Sequence, residues 1–436
     1  MTSEQIASLE PALLALLARF KRYFKREKTF SYLAKYMVGL LSSVKRKSIE
    51  PIALSAGVAV RTLQEFLSFF AWDENRVDDE FCRWAAQTHG SELSIGVLDG
   101  SAHSKQGDKT PGVQRQWCGE KGKVDNCVLG YHLLYTDNAP SNPFSCVLTS
   151  DLYLPKEWMQ DRERCRQAGI PDEVIYRSGW QIGIDQIRRA LGNGVRLSFI
   201  TFDEEVGNIP EFWFELDKLG QRAIGEVKPN FRGWTTLPKY VSGRSEYASR
   251  RVDDLVSHSP VFTKQSWQSV KIKDVTRGET IWKIKSAPFY LVTQDENNMS
   301  VPTDRAYWLI VARHPVTGEV KYFVSNAPLS TDIQLLLRVA FARWHVEKWF
   351  ERAKQEAGFG AFEVRTYRSL IRHWLISRLA MFFLSRETHR LRKKKSADHA
   401  GTDRRNHAGV DGKDVETMLD GMEPSNGKMQ LLAMAQ

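Results

Sequence analysis

Leu9, Leu13, Leu14, Leu17 and Phe20 recur at helical spacing, and the helical pattern persists from residue 5 to about residue 85. Within it, IEPIALSAGVAVRTLQEFLSFF predicts a helix, a turn at Gly57 and a second helix. That is the layout of a helix-turn-helix, whose second helix can enter a major groove. From about residue 93 the apolar runs become short and β-rich. SIGVLDG, NCVLGYHLLYT and PFSCVLTSDLYL read as strands, the last two joined by the turn-rich DNAPSNP. GIDQIRRALGNG reads as a helix, VRLSFITFD as a strand, IPEFWFELDKLG as a helix and AIGEVK as a strand. This order predicts an α/β fold, a mixed sheet covered by helices.

Residues 231–330 read differently. WTTLPKYV, PVFTKQSW, IWKIKS, FYLVTQ, AYWLIVARH and VKYFVSNAP are short strand-like runs, and HPVTGEVKY is a hairpin signal. The segment is expected to be a β-rich insertion. One long helix is expected from near Asp332 to about Gly358, and another from about Thr366 to Lys395. The chain thus divides into an all-helical N-terminal region (1–88), a first part of an α/β core (89–230), the insertion (231–330), the C-terminal helices of the core (331–395) and a polar, Gly-rich, mobile tail (396–436).

Charge adds a direction to this outline. Among 436 residues, 62 Lys and Arg face 52 Asp and Glu, a formal net charge of +10 that favours an anionic partner. Residues 19–47 hold ten basic side chains, Lys45, Arg46 and Lys47 among them, against the single acid Glu27. With Arg61 on the second helix of the turn motif, they are candidates for phosphate contact, the alternative being an ordinary hairpin with a solvated basic face. The five cysteines, Cys82, Cys118, Cys127, Cys146 and Cys165, form no C-x-x-C pair and are odd in number, which argues against a disulfide framework or a zinc site and for reduced thiols in the cytoplasm. No run of 18 apolar residues occurs, and the acidic start does not read as a signal peptide, so no membrane association is expected.

The candidate chemistry lies in carboxylates. Asp99 and Asp203 each end a predicted apolar strand, so they should converge on the crevice where α/β sheets bind ligands. A buried, unpaired Asp is costly, and a hard divalent cation relieves that cost. On the helix FARWHVEKWFERAKQEA, Arg343, Glu347 and Glu351 are spaced i, i+4, i+8 and share a face, with Lys354 seven beyond Glu347. Trp344, Trp349, Phe350 and Ala353 are expected to dock that helix on the sheet.

These stretches resemble the DDE transposases of bacterial insertion sequences, in particular the group marked by a Tyr-Arg-Glu-Lys signature. Arg343, Glu347 and Lys354 match its spacing, and LDGSAHSKQG, CGEKGKVDNCVLGYHL, LYLPKEW, ITFDEEVGN, KYFVSNAP and RWHVEKWFERAKQEAGFGAFEVRTY are similar to its blocks over about residues 90–385. The resemblance implies a ribonuclease-H-like core with a β insertion before the glutamate. It implies that Asp99, Asp203 and Glu347 bind two Mg²⁺ or Mn²⁺ ions about 4 Å apart for phosphodiester cleavage and strand transfer. It also implies that Arg343, Lys354 and Lys105 neutralise phosphate, and that the partner is double-stranded DNA, both element ends and target, bound by a homodimer at the nucleoid. The signature's Tyr is replaced by Ala340, and the Tyr-Gly pair common after the second aspartate is Val206-Gly207 here. Glu351 is a rival to Glu347, one turn away. Two other functions stay open: a relative that binds DNA without cutting it, and a nuclease without strand transfer.

Three further features have open readings, and a fourth, His345, has one. His103 either touches the metal site or is a loop histidine. His345 reads as structural. Trp117, beside Lys121, Lys123 and Asn126 on a Gly-rich turn, either packs or stacks on a base. The basic run Arg386–Lys395 either contacts phosphate or ends a solvated helix.

Overall fold

The computed structural model describes residues 8–139, 143–238, 240–241, 244–245, 248–274 and 278–398. Residues 399–436, which make up nearly all of the expected tail, and residues 140–142 of DNAPSNP lie outside the described residues.

The N-terminal apolar stripe forms α1 (Leu9–Ala18), with Leu9, Leu13, Leu16 and Leu17 inward, followed by α2 (Glu27–Leu41). α3 (Ile49–Ser55) and α4 (Val60–Ser68) are the two arms of the expected turn motif. Gly57, at φ 61°, turns the chain between them in the left-handed region that glycine enters without a Cβ penalty. Asp73 caps α5 (Glu74–Thr88) by accepting from the Arg76 N–H.

β1 (Ile95–Ser104) is central. Beside it lies β3 (Lys123–Thr136), antiparallel, with Asp99 opposite His132. β3 also pairs with β2 (Gln114–Cys118) and with β4 (Ser145–Leu152). After the short helices α6 (Lys156–Gln160) and α7 (Arg162–Gln167), α8 (Gly179–Gly192) crosses the sheet and delivers β5 (Phe199–Phe202) parallel to β1. α9 (Glu204–Gly207) and α10 (Pro210–Lys218) then lead to β6 (Ala223–Val227), parallel to β5. The order β4-β3-β1-β5-β6 is therefore antiparallel on one side of β1 and parallel on the other. β1 differs from expectation: its ladder with β3 runs on to Ser104, so Asp99 sits within the strand, not at its end.

Most strands of residues 231–330 join the central sheet. β7 (Arg232–Trp234) and β10 (Arg250–Arg251) form one edge, while β8 (Tyr240–Val241) and β9 (Arg244–Ser245) pair only with each other. PVFTKQSW is not a strand: Pro260, which pre-sets a helical φ at the first position, starts the short α12 (Pro260–Thr263) just after α11 (Val252–His258). IWKIKS and FYLVTQ merge into the 17-residue β12 (Gly278–Gln294), flanked by β11 (Gln268–Asp274) and β13 (Ser300–Pro302). β14 (Tyr307–Arg313) and β15 (Val320–Ser325) form the expected hairpin, and β15 pairs with β6, so all of these strands except β8 and β9 extend the central sheet.

The predicted long helix is broken in two: α13 (Ile333–Phe341), capped by Asp332, and α14 (Trp344–Glu356). The His345 and Val346 N–H groups donate to the Ala342 and Arg343 carbonyls, i→i−3 bonds that tighten the turn at the junction. α15 (Tyr367–Asp398) is the 32-residue spine: it touches β4 and the N-terminal helices at once, within one continuous apolar core from Leu9 to Leu391. Polar clamps reinforce the contact. Tyr36 Oη lies 2.9 Å from His373 Nδ1, and the buried Arg378 pairs with Asp78 at 2.8 Å. Arg372, 1% exposed, donates to the carbonyls of Phe66, Leu67, Phe70 and Trp72 and pairs with Glu74 at 2.8 Å, capping the C-terminal end of α4.

Candidate functional site

Leu98 and Phe202 are the last pair of the parallel β1–β5 ladder, so Asp99, within β1, and Asp203, just past the end of β5, come next at the same end of the two strands. Each carboxylate is held locally. Asp99 Oδ1 accepts the Gly100 N–H at 2.8 Å, and Asp203 caps α9 by accepting the Glu205 N–H at 3.0 Å. Gly207 ends that four-residue helix, and a Cβ there would lie 2.0 Å from the Glu226 carbonyl oxygen. Only glycine lets α9 lie so close to β6, which gives Val206-Gly207 its structural reason.

Arg343 enters from the junction of α13 and α14. Its Nη1 lies 3.2 Å from Asp99 Oδ2 and its Nη2 lies 2.8 Å from Glu347 Oε1. One guanidinium thus joins the first and third expected ligands, Asp99 and Glu347. Glu351, one turn on, is exposed. Trp349, Phe350 and Ala353 dock α14 on the sheet as expected, but Trp344 is 38% exposed and does not. Lys354 donates to the Ala102 carbonyl at 3.2 Å, and Ala340 is buried.

Burial sets the electrostatics. It pushes the Asp99 carboxyl up to about 7, and the Asp203 charge adds to this against the opposing pull of Arg343. Burial and the neighbouring Glu205 push Asp203 up to about 6. Burial would lower the Arg343 guanidinium, but Asp99 and Glu347 outweigh it and raise it. Two buried carboxyls this reluctant to ionise form a hard-oxygen donor pair that a divalent cation would stabilise. Among the described residues, no three His, Cys, Asp or Glu side chains are gathered closely enough to hold an ion, and Glu347 is paired with Arg343.

The remaining expected phosphate contacts divide. Lys45, Arg46 and Arg61 lie on the surface, Arg46 paired with Glu363 and Arg61 with Glu65. Lys47 does not: it is 6% exposed and its Nζ donates to the carbonyls of Leu40, Ser42 and Glu356, with burial lowering it to about 8. Lys105 is likewise committed inward, donating to the Gly360 and Phe362 carbonyls with its Nζ over the Phe362 ring. Both cations satisfy carbonyls left open where the backbone turns. Arg386 lies over Trp84, and Arg390 pairs with Glu387; the side chains of Arg392–Lys395 lie outside the described residues.

His103 is no loop histidine: it is 1% exposed on β1, packed against Phe359, Phe362 and Trp374. His345 is half-buried on α14. Trp117 is 65% exposed, which removes the packing reading. The five cysteines are buried thiols. Arg372, Arg378 and the buried His132 and His373 were not anticipated, because no local pattern distinguishes a buried Arg or His on a helix or strand from a surface one. A polar cavity of about 250 Å³, bordered by Asp78, Thr149, Asp151, Arg177, Arg189 and Arg378, lies elsewhere, and none of the three acids lines it. No helix among the described residues is long and apolar enough to cross a membrane.

Sheet and site together define a mixed α/β protein whose candidate centre is a pair of half-buried aspartates, one within β1 and one just past the end of β5, reached by an Arg- and Glu-bearing helix. The chain belongs to the DDE superfamily endonucleases, whose family profile matches residues 16–279. That span contains Asp99 and Asp203 and stops short of Glu347. The chain is 22% identical over 352 residues, 80% of each sequence, to a protein of Microchaete diplosiphon described as a probable transposase for insertion sequence element IS701. Among solved structures, a piggyBac transposase synaptic complex with hairpin DNA overlaps all of this chain and 77% of its own at a TM-score of 0.44 and 12% identity, a likeness too distant to carry an argument.

Proposed function

We propose that this chain is a DNA transposase that cleaves element ends and joins them to target DNA with divalent metal ions. The observation that carries the proposal is that Asp99 and Asp203 each follow the last pair, Leu98–Phe202, of the parallel β1–β5 ladder, with Arg343 linking Asp99 to Glu347. Membership of the endonuclease family and the sequence relative described as a probable transposase support it. The order β4-β3-β1-β5-β6 supports a ribonuclease-H-like core, with residues 231–330 as its insertion.

Asp99 and Asp203 would hold Mg²⁺ or Mn²⁺, with Glu347 as third ligand once it leaves Arg343. Bound cations supply Lewis acidity at the scissile phosphate and a more acidic attacking water or 3′-hydroxyl. The chain's own residues do the positioning. The Gly100 and Glu205 N–H groups fix the two aspartates. Arg343, freed from Asp99, would neutralise charge on the phosphate, and Lys354 stands two turns beyond Glu347. The α3–α4 turn motif, with Lys45, Arg46 and Arg61 exposed, and a homodimer bringing two ends together complete the reading.

The test is incubation of the protein with its element's terminal DNA in Mg²⁺, followed by a joining reaction with pre-cut ends. Nicking and joining that Asp99→Asn and Asp203→Asn both abolish, with DNA retention intact, support the proposal. Nicking without joining would make the chain a nuclease, and retention without nicking a binding protein.

A further inference from the structure

The ladder between β1 and β3 ends at Ser104–Cys127, but β3 continues outward paired with β2 as far as Cys118–Lys123. At the tip of this two-stranded ribbon Trp117 faces Val124 across the strands. Trp117 is 65% exposed and Val124 53%, and the Trp117 ring has no stacking or hydrogen-bond partner among the described residues. Arg115, two residues from Trp117, shares its face. Lys121 and Lys123 flank the turn and are exposed. Of the acids nearby, Glu120 accepts the Ser104 N–H at 2.9 Å and Asp125 pairs with Lys123 at 3.8 Å, so Arg115, Lys121 and Lys123 outnumber the two carboxylates. The opposite face of the ribbon is anchored, with Cys118 and Cys127 buried against Ala102. One face is therefore fixed to the sheet while the other presents an apolar pair beside Arg115, with Lys121 and Lys123 at the turn next to it.

We propose that this ribbon is a DNA-contacting arm that enters a groove of the duplex. Trp117 and Val124 would lie against the bases or sugars, and Arg115, Lys121 and Lys123 on the phosphates. The charge favours nucleic acid over an apolar protein surface, and a two-stranded ribbon carrying an apolar wedge fits a groove. Val124 lies eight residues along β3 from His132, the partner of Asp99. Even spacing puts it on the Asp99 face of the sheet, roughly 26 Å away at about 3.3 Å per residue. At about 3.4 Å per base step, the arm would meet the duplex roughly 8 base pairs from a phosphate lying at Asp99. The inference rests on the DNA reading above and names a surface outside the acids.

The test uses the full chain with a fluorescent 40-base-pair duplex of mixed sequence in Ca²⁺, by anisotropy between 50 and 200 mM NaCl, alongside Mn²⁺ binding without DNA. The triple variant Arg115→Ala, Lys121→Ala, Lys123→Ala should lower the slope of log affinity against log salt by about 2 to 3. Trp117→Ala should weaken binding about tenfold at unchanged slope, with Trp117→Phe recovering most of it. All should bind Mn²⁺ as the unaltered chain does. Unaltered affinity and slope in both variants, beside salt-dependent binding by the unaltered chain, would overturn the arm. So would a change in oligomeric state on Trp117→Ala without a change in DNA binding, which would make the tip a self-interface. A chain that binds no duplex at 50 mM NaCl would instead refute the DNA reading itself.

Discussion

Replacing Asp99 with Asn should make the metal-free protein more stable at pH 8 and no different near pH 4. The Asp99 carboxyl is held at about 7 against an ordinary 3.8, chiefly by burial. Between those values the folded chain binds more protons than the unfolded one, so stability falls as pH rises, and the loss is complete above about 7. At about 1.4 kcal/mol per pH unit, the charge costs up to about 4 kcal/mol at pH 8. Arg343 loses one of its two partners in the variant, which offsets part of the gain. The assay is urea unfolding of both chains in EDTA at pH 4, 6 and 8, repeated at pH 8 with Mn²⁺. The curves should diverge with rising pH, and Mn²⁺ should stabilise the unaltered chain while leaving the variant nearly unmoved. Parallel curves across the range would refute the claim that Asp99 is a strained, buried acid. Equal stabilisation of both by Mn²⁺ would remove Asp99 from the metal site.

Arg372→Met leaves four carbonyls uncapped and Glu74 with Arg368 as its remaining cation, and should cost about 2–4 kcal/mol in urea unfolding; a loss under about 1 kcal/mol would mean that the clamp is not formed. Gly207→Ala drives a Cβ into the Glu226 carbonyl, so it should destabilise by about 2–3 kcal/mol and weaken Mn²⁺ binding through the displaced Asp203 cap, measured by electron paramagnetic resonance of free Mn²⁺. Arg343→Gln removes a cation competing for Asp99 and Glu347, and should tighten Mn²⁺ binding without DNA by about fivefold, the equivalent of about 1 kcal/mol for a partly exposed pair; unchanged or weaker binding would argue that Arg343 does not block the acids.

Much of the layout was legible along the chain because it rests on local periodicity. The helical stripe of α1, the turn at Gly57, the apolar runs of β1 and β5 ending near acids and the β14–β15 hairpin each carry their signal within about ten residues. So does the shared face of Arg343 and Glu347. Tertiary contact decided the rest. Whether β1 stops at Asp99 or runs on to Ser104 depends on β3 lying alongside, which residues 95–104 do not encode alone. Lys47 and Lys105 look like any surface lysine in sequence, and turn inward only because distant carbonyls, Glu356 in one case and Gly360 and Phe362 in the other, need donors. Arg372 was unreadable for the same reason, since its partners lie some 300 positions away. Periodicity reports which way a side chain faces on its own element. Only packing reports what stands opposite, and for a charged group the partner opposite decides whether it holds the fold together or meets a ligand.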